Sequence, residues 1–192
     1  MLEPLVRLLL GMGVGPFSVT TAGLLLTAVA AWFVWGGSYI AGTAFLAGGS
    51  ILDAVDGELA RRKGIVSKAG AVFDSSSDRV GELFIFGAML AGEAGSVHHS
   101  LVYLVPAAIG GSYMVSYIRA RAEGVKLFGS VGIFTRTERL VLLIAGLVAA
   151  GLWDTRAIVI MLAVMSAGTW FTAAQRFARV IRDGRGVALD EE

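Results

Sequence analysis

The feature that most restricts the fold is a succession of long apolar segments broken only by short polar turns. Six can be traced, over Pro16–Trp35, Tyr39–Ala60, Ala69–Ala91, Ser100–Ala120, Glu138–Trp153 and Arg156–Phe177. A helix needs about 20 mostly apolar residues to cross the hydrocarbon core of a bilayer. Inside that core the backbone must satisfy its own N–H and C=O groups, which leaves helices and closed barrels. The composition agrees with membrane burial: 56% of the residues are hydrophobic and only 16% charged, whereas about a quarter are charged in soluble domains. The expected fold is therefore an all-α integral membrane protein, with six transmembrane helices over residues 16–182. A short amphipathic interfacial helix over residues 1–15, with Glu3 and Arg7 on its polar side, precedes them, and a cytoplasmic tail over 183–192 follows. Cysteine is absent, so neither disulfides nor thiolate metal sites can be invoked.

Charge sets the expected orientation. Of the 16 Lys and Arg residues, only Arg156 falls on the side of the turns at Gly36, Gly95 and Asp154. Cytoplasmic loops carry the Lys/Arg excess, which predicts that both termini and the segments Arg61–Lys68 and Arg121–Thr137 face the cytoplasm of a cell-membrane protein. Many of the 26 glycines need no catalytic account, because membrane helices pack through small residues.

The informative stretch is acidic and lies inside the apolar pattern. Asp53 and Asp56 are spaced i, i+3, and Asp74 and Asp78 are spaced i, i+4, so each pair shares one helix face. A short connection brings the end of the second span beside the start of the third. All four carboxylates are thereby expected to converge near the cytoplasmic surface. Ionised groups at that depth are costly, and together they would repel one another unless a cation neutralised them. All-oxygen ligation suits a hard divalent ion such as Mg²⁺ or Mn²⁺, and two such ions suit phosphoryl-type displacement. Gly57, Ala60 and Gly70 leave room for a ligand to reach the metals. An ion pathway in a small cation transporter or channel is the alternative from a different class.

The string D-x-x-D-G-x-x-A-R-(x8)-G-x-x-x-D-x-x-x-D, present at Asp53, Asp56, Gly57, Ala60, Arg61, Gly70, Asp74 and Asp78, resembles the signature of the CDP-alcohol phosphotransferase family. The resemblance extends over most of the chain. It implies that Asp53, Asp56 and Asp74 bind two metal ions holding a CDP pyrophosphate. Asp78 would complete the metal site and act as catalytic base on an incoming hydroxyl. It further implies a CDP-binding pocket built from Pro16, Thr20, Asp56, Gly57, Ala60, Arg61, Gly70 and Asp74. The implied reaction is attack of an alcohol on the lipid-side phosphorus of a CDP-lipid, with release of CMP. A homodimer is also implied, with membrane lipids and the two substrates as partners and no nucleic acid.

A second, basic set comprises Arg119, Arg121, Arg136, Arg139 and Arg176. Guanidinium clusters suit multidentate phosphate binding, so these residues are expected to hold an acceptor that already carries a phosphate. The strings Ser116-Tyr-Ile-Arg-Ala-Arg121-Ala-Glu123, Arg136-Thr-Glu-Arg139 and Gln175-Arg176 resemble the phosphatidylinositol-phosphate synthase branch. That resemblance implies inositol 1-phosphate as acceptor. Glycerol 3-phosphate, as in phosphatidylglycerol-phosphate synthases, is the alternative.

Overall fold

The computed structural model describes residues 3–185; residues 186–192 of the expected tail lie outside the described residues. The helices run α1 Glu3–Gly11, α2 Pro16–Trp35, α3 Tyr39–Lys63, α4 Lys68–Ala91, α5 Glu93–Val97, α6 Leu101–Gly124, α7 Arg136–Leu152 and α8 Arg156–Gly184, with no strand among the described residues. Each of the six apolar segments is helical. Three helices, α2, α6 and α8, are long and apolar enough to cross a membrane. The other three depart from a plain spanning helix: α3 and α4 carry the acidic motif within them, and α7 has only 17 residues. Tyr103, Trp153 and Ile160 are 79%, 80% and 65% exposed. Large apolar side chains turned outward in this way are what a lipid-facing surface requires, and a water-facing one penalises.

Three helices run past their expected ends, α6 reaching Gly124 rather than Ala120. α3 continues through Arg61, Arg62 and Lys63, cations that suit the carbonyl end of a helix. Arg61 and Arg62 also reach back to Glu58, at 3.0 and 2.9 Å. Gly64 then closes α3 with φ 65°, donating to the Arg61 carbonyl at 3.1 Å while Ile65 donates to that of Ala60 at 3.1 Å. This pairing is a Schellman stop, whose left-handed residue favours glycine. α8 continues to Gly184, so the expected boundary at 182 falls inside a helix.

The described residues form two compact units, one within Met1–Val97 and Gly151–Trp153, the other within His98–Ala150 and Asp154–Glu192. In the first, α2 packs on α3 and α4. The α2–α3 crossing is close because neither helix bears a side chain at the contact: a Cβ on Gly49 would lie 2.8 Å from the Gly23 carbonyl oxygen. Val34, Val55, Leu59, Phe86 and Met89 fill the interior around it. α1 is tied down by polar links: Arg62 pairs with Glu3, and the Lys63 ammonium donates to the Val14 carbonyl at 2.7 Å. The Arg62 guanidinium holds the Glu3 carboxyl down at about 2, so the link stays charged throughout the neutral range.

In the second unit, α6 packs on α8. Gly111 admits Thr169, whose Oγ1 would lie 2.2 Å from a Cβ at position 111, and the Trp170 indole donates to the Ala107 carbonyl at 3.0 Å. Gly146 of α7 similarly accommodates Met161 of α8. Small residues thus set the approach distance in both units, as expected where no hydrophobic drive pulls helices together.

Candidate metal and nucleotide site

The turn between α3 and α4 is short because both helix ends are capped locally. Gly64 stops α3, and the Ser67 hydroxyl accepts from the Gly70 N–H at 3.0 Å to start α4. Two neighbouring helix ends are thereby held together, with Asp53 and Asp56 on one and Asp74 on the other. These three acids each place one carboxylate oxygen within 4.8 Å of the others. Asp56 is buried, Asp53 and Asp74 partly so. Asp56 also accepts from the Thr20 hydroxyl of α2, so α2 fixes the orientation of a carboxylate on α3. Three acidic oxygens this close are an all-oxygen donor set of the kind that a hard divalent cation neutralises.

Asp78 is not one of the three acids whose oxygens converge within 4.8 Å. It lies one turn further along α4, with its side chain 14% exposed, and the Arg79 guanidinium is 4.0 Å away. Arg79 also pairs with Glu82 at 2.9 Å.

A cavity of about 320 Å³ opens beside the acids, lined by residues of α2, α3, α4 and the turn. Pro16, Thr20, Asp56, Gly57, Ala60, Arg61, Gly70 and Asp74, expected from the motif to bind the nucleotide, all line it. Sequence reasoning missed Phe17, Ile65, Val66, Ser67, Ala71 and Phe73, which complete the lining. The rings of Phe17 and Phe73 lie 5.1 Å apart and form an apolar flank. The available signal was Ile65-Val66, an apolar pair between the cations Arg61, Arg62, Lys63 and Lys68, and Phe73 beside an acid.

The glycines of the motif differ from those of the helix crossings. A Cβ on Gly57 would meet nothing closer than the flexible tip of Arg61, at 3.6 Å, and one on Gly70 only the Ser67 hydroxyl, at 3.2 Å. Helix packing does not account for glycine at 57; the open cavity does. Gly57→Leu is therefore expected to raise KM for a CDP-lipid by about tenfold or more by filling that space, with the melting temperature nearly unchanged, since no packed contact is broken. Steady-state kinetics alongside a thermal melt checks both halves.

The basic set lies in the other unit. Arg119, Arg121 and Arg136 are exposed, and Arg119 pairs with Glu123 at 2.7 Å. Arg139 and Arg176 are 4% and 5% exposed. Arg176 donates from Nε to the Val131 carbonyl at 2.6 Å and from Nη1 to that of Val115 at 2.7 Å.

A partly buried acidic trio beside a cavity with one polar and one apolar flank defines a class: helical membrane proteins that bring divalent cations to an anionic, partly apolar substrate. The model for CDP-alcohol phosphatidyltransferases matches residues 14–177. The chain belongs to that family, and is a transferase of substituted phosphate groups. Among its relatives, the archaetidylinositol phosphate synthase of Pyrococcus horikoshii is 37% identical over 181 residues, covering 91% of this chain and 88% of its own. Two crystal structures of the phosphatidylinositol phosphate synthase of Mycobacterium tuberculosis share its fold. The one with CDP-DAG bound is 27% identical with a TM-score of 0.86, covering 98% of this chain and 96% of that one. The other, in complex with manganese and citrate, is 27% identical with a TM-score of 0.85, covering 94% and 89%.

Proposed function

We propose that this chain transfers a phosphatidyl-type group from a CDP-lipid, either CDP-diacylglycerol or CDP-archaeol, to inositol 1-phosphate, releasing CMP, in phospholipid biosynthesis. The observation that carries this reading is the acidic trio opening onto a cavity lined by every residue expected to bind the nucleotide. It is supported by relatives named phosphatidylinositol or archaetidylinositol phosphate synthase, and by the similar structure that holds CDP-DAG.

Asp53, Asp56 and Asp74, with Asp78 completing the set, would hold two Mg²⁺ or Mn²⁺ ions. When bound, these supply charge neutralisation at the pyrophosphate and a better leaving phosphate. Manganese in a similar structure supports the divalent assignment. Thr20 fixes the carboxylate of Asp56. Gly57, Ala60 and Gly70 admit the cytidine, with Pro16 and Arg61 at its edge. Asp78 takes the proton from the acceptor hydroxyl. The freed oxygen attacks the lipid-side phosphorus, the bond from that phosphorus to the bridging oxygen breaks, and CMP leaves with the electron pair. Arg119, Arg121, Arg136, Arg139 and Arg176 hold the acceptor's own phosphate, which an uncharged inositol lacks.

In this reading α2, α3, α4, α6, α7 and α8 cross the membrane, α1 lies at its surface, and the acids face the cytoplasm on the Lys/Arg-rich side. The working unit is a homodimer. Purified protein in detergent, given a CDP-lipid and Mg²⁺ or Mn²⁺, is expected to release CMP with inositol 1-phosphate in preference to glycerol 3-phosphate, inositol and serine. Chelation of the metal should stop the release. Metal flux into liposomes without CMP release under any of these acceptors would replace the reading by transport.

A further inference from the structure

The segment joining α6 to α7 has no regular structure of its own over 131–135, yet it is held by one side of α8. Gly168, Thr172 and Arg176 are spaced four residues apart and form a single stripe along that helix. Each grips a different point of the segment. The Phe134 ring occupies the space over Gly168, where a Cβ would lie 2.7 Å from it. Thr172, fully buried, accepts from the Phe134 N–H at 3.1 Å. Its methyl group would lie 2.3 Å from a Cβ on Gly132, whose φ of +114° already favours glycine. Arg176 holds the Val131 carbonyl at 2.6 Å. The segment thus runs antiparallel to α8, 134 over 168 and 131 over 176. At its far end the Glu138 carboxylate accepts from the Thr135 N–H at 2.8 Å and from the Thr135 hydroxyl, tying the segment to the first turn of α7. Arg136 and Arg139 follow directly.

We infer that the Gly168–Thr172–Arg176 stripe is a template that sets where α7 begins, and that Thr172 is a positioning residue for the acceptor phosphate, acting through Arg136 and Arg139. This rests on the reading of those arginines as the acceptor site. Arg176 has two tasks, with Nε and Nη1 committed to backbone carbonyls of the segment and of α6. Thr172 has only the positioning one, which makes it the residue to test.

Thr172→Val keeps the shape and removes the hydroxyl. Its KM for inositol 1-phosphate is expected to rise about tenfold or more, as small misplacements of binding groups do, while KM for the CDP-lipid stays within about twofold. Thr172→Ser, which restores the oxygen, should recover most of the loss. Gly132→Ala should reproduce the effect of Thr172→Val from the other side of the contact. Because the chain has no cysteine, a nitroxide on Ile133→Cys, an exposed position, reports the segment directly and should become more mobile in the Thr172→Val background. An unchanged acceptor KM in both Thr172→Val and Gly132→Ala overturns the proposal, as does an equal rise for both substrates. If Arg139→Ala raises the acceptor KM while those two variants do not, only the template idea fails. If Arg139→Ala also leaves it unchanged, the acceptor assignment fails and the template role goes with it.

Discussion

Asp74→Asn is expected to abolish CMP release, by about a thousandfold or more, while leaving the protein folded. Asn is isosteric with Asp and keeps one oxygen, so the α3–α4 turn and its caps are undisturbed. What is lost is one of three negative oxygens within 4.8 Å of one another. A metal's contribution to transition-state charge amounts to several kcal/mol, and each 1.36 kcal/mol is tenfold in rate. CMP release measured at saturating Mn²⁺ and inositol 1-phosphate is the direct check. Residual activity within about tenfold of the parent would show that the acidic trio does not hold the catalytic metals. Asp78→Asn gives a complementary result. If Asp78 acts as the base on the acceptor hydroxyl, kcat falls by about a hundredfold or more while KM for the CDP-lipid changes far less, because Asp53, Asp56 and Asp74 still bring three carboxylate oxygens within 4.8 Å of one another.

The second large effect belongs to Arg139. This guanidinium is 4% exposed and one turn into α7, where Arg136 is its i, i+3 neighbour. Arg139→Ala should raise KM for inositol 1-phosphate by about thirtyfold, the equivalent of about 2 kcal/mol for a hydrogen bond to a charged group. KM for the CDP-lipid should change little. Arg139→Lys should recover only part, since an ammonium keeps the charge but not the planar fork that meets two phosphate oxygens. Comparing inositol 1-phosphate with inositol in the same variant separates phosphate binding from loss of structure: a variant that has merely loosened loses both acceptors alike.

Much of the site was legible in the sequence because its residues are local to two segments. Spacing of three and four along a helix is enough to put Asp53 with Asp56, and a short turn is enough to bring Asp74 beside them. Asp56, Gly57, Ala60, Arg61, Gly70 and Asp74 line one cavity for the same reason, whereas Pro16 and Thr20 reach it from α2. The apolar part of that lining was not legible. Ile65 and Val66 read as part of a charged loop, and Phe73 as an ordinary membrane residue, until the turn folds them toward the acids. The glycines show the same limit: Gly49 and Gly57 are eight residues apart on one helix and identical as letters. One meets the Gly23 backbone and the other meets open space.

The basic set illustrates what local pattern leaves open. All five arginines look alike as cations flanking apolar spans, and positive charge on that side is explained by topology alone. The structure divides them, burying Arg139 and Arg176 and leaving Arg119, Arg121 and Arg136 exposed. It also gives Arg176 a backbone-holding task that no spacing announced.

By itself, then, the sequence determined the helical segments, the acidic motif and the family, because hydropathy and i, i+3 or i, i+4 spacing are properties of one stretch of chain. Only the tertiary structure decided which three acids converge, which glycines serve packing and which serve a cavity, and how α8 holds the segment that precedes α7. Those depend on side chains far apart in sequence meeting at contact distance, and a contact has no periodicity to be read in advance.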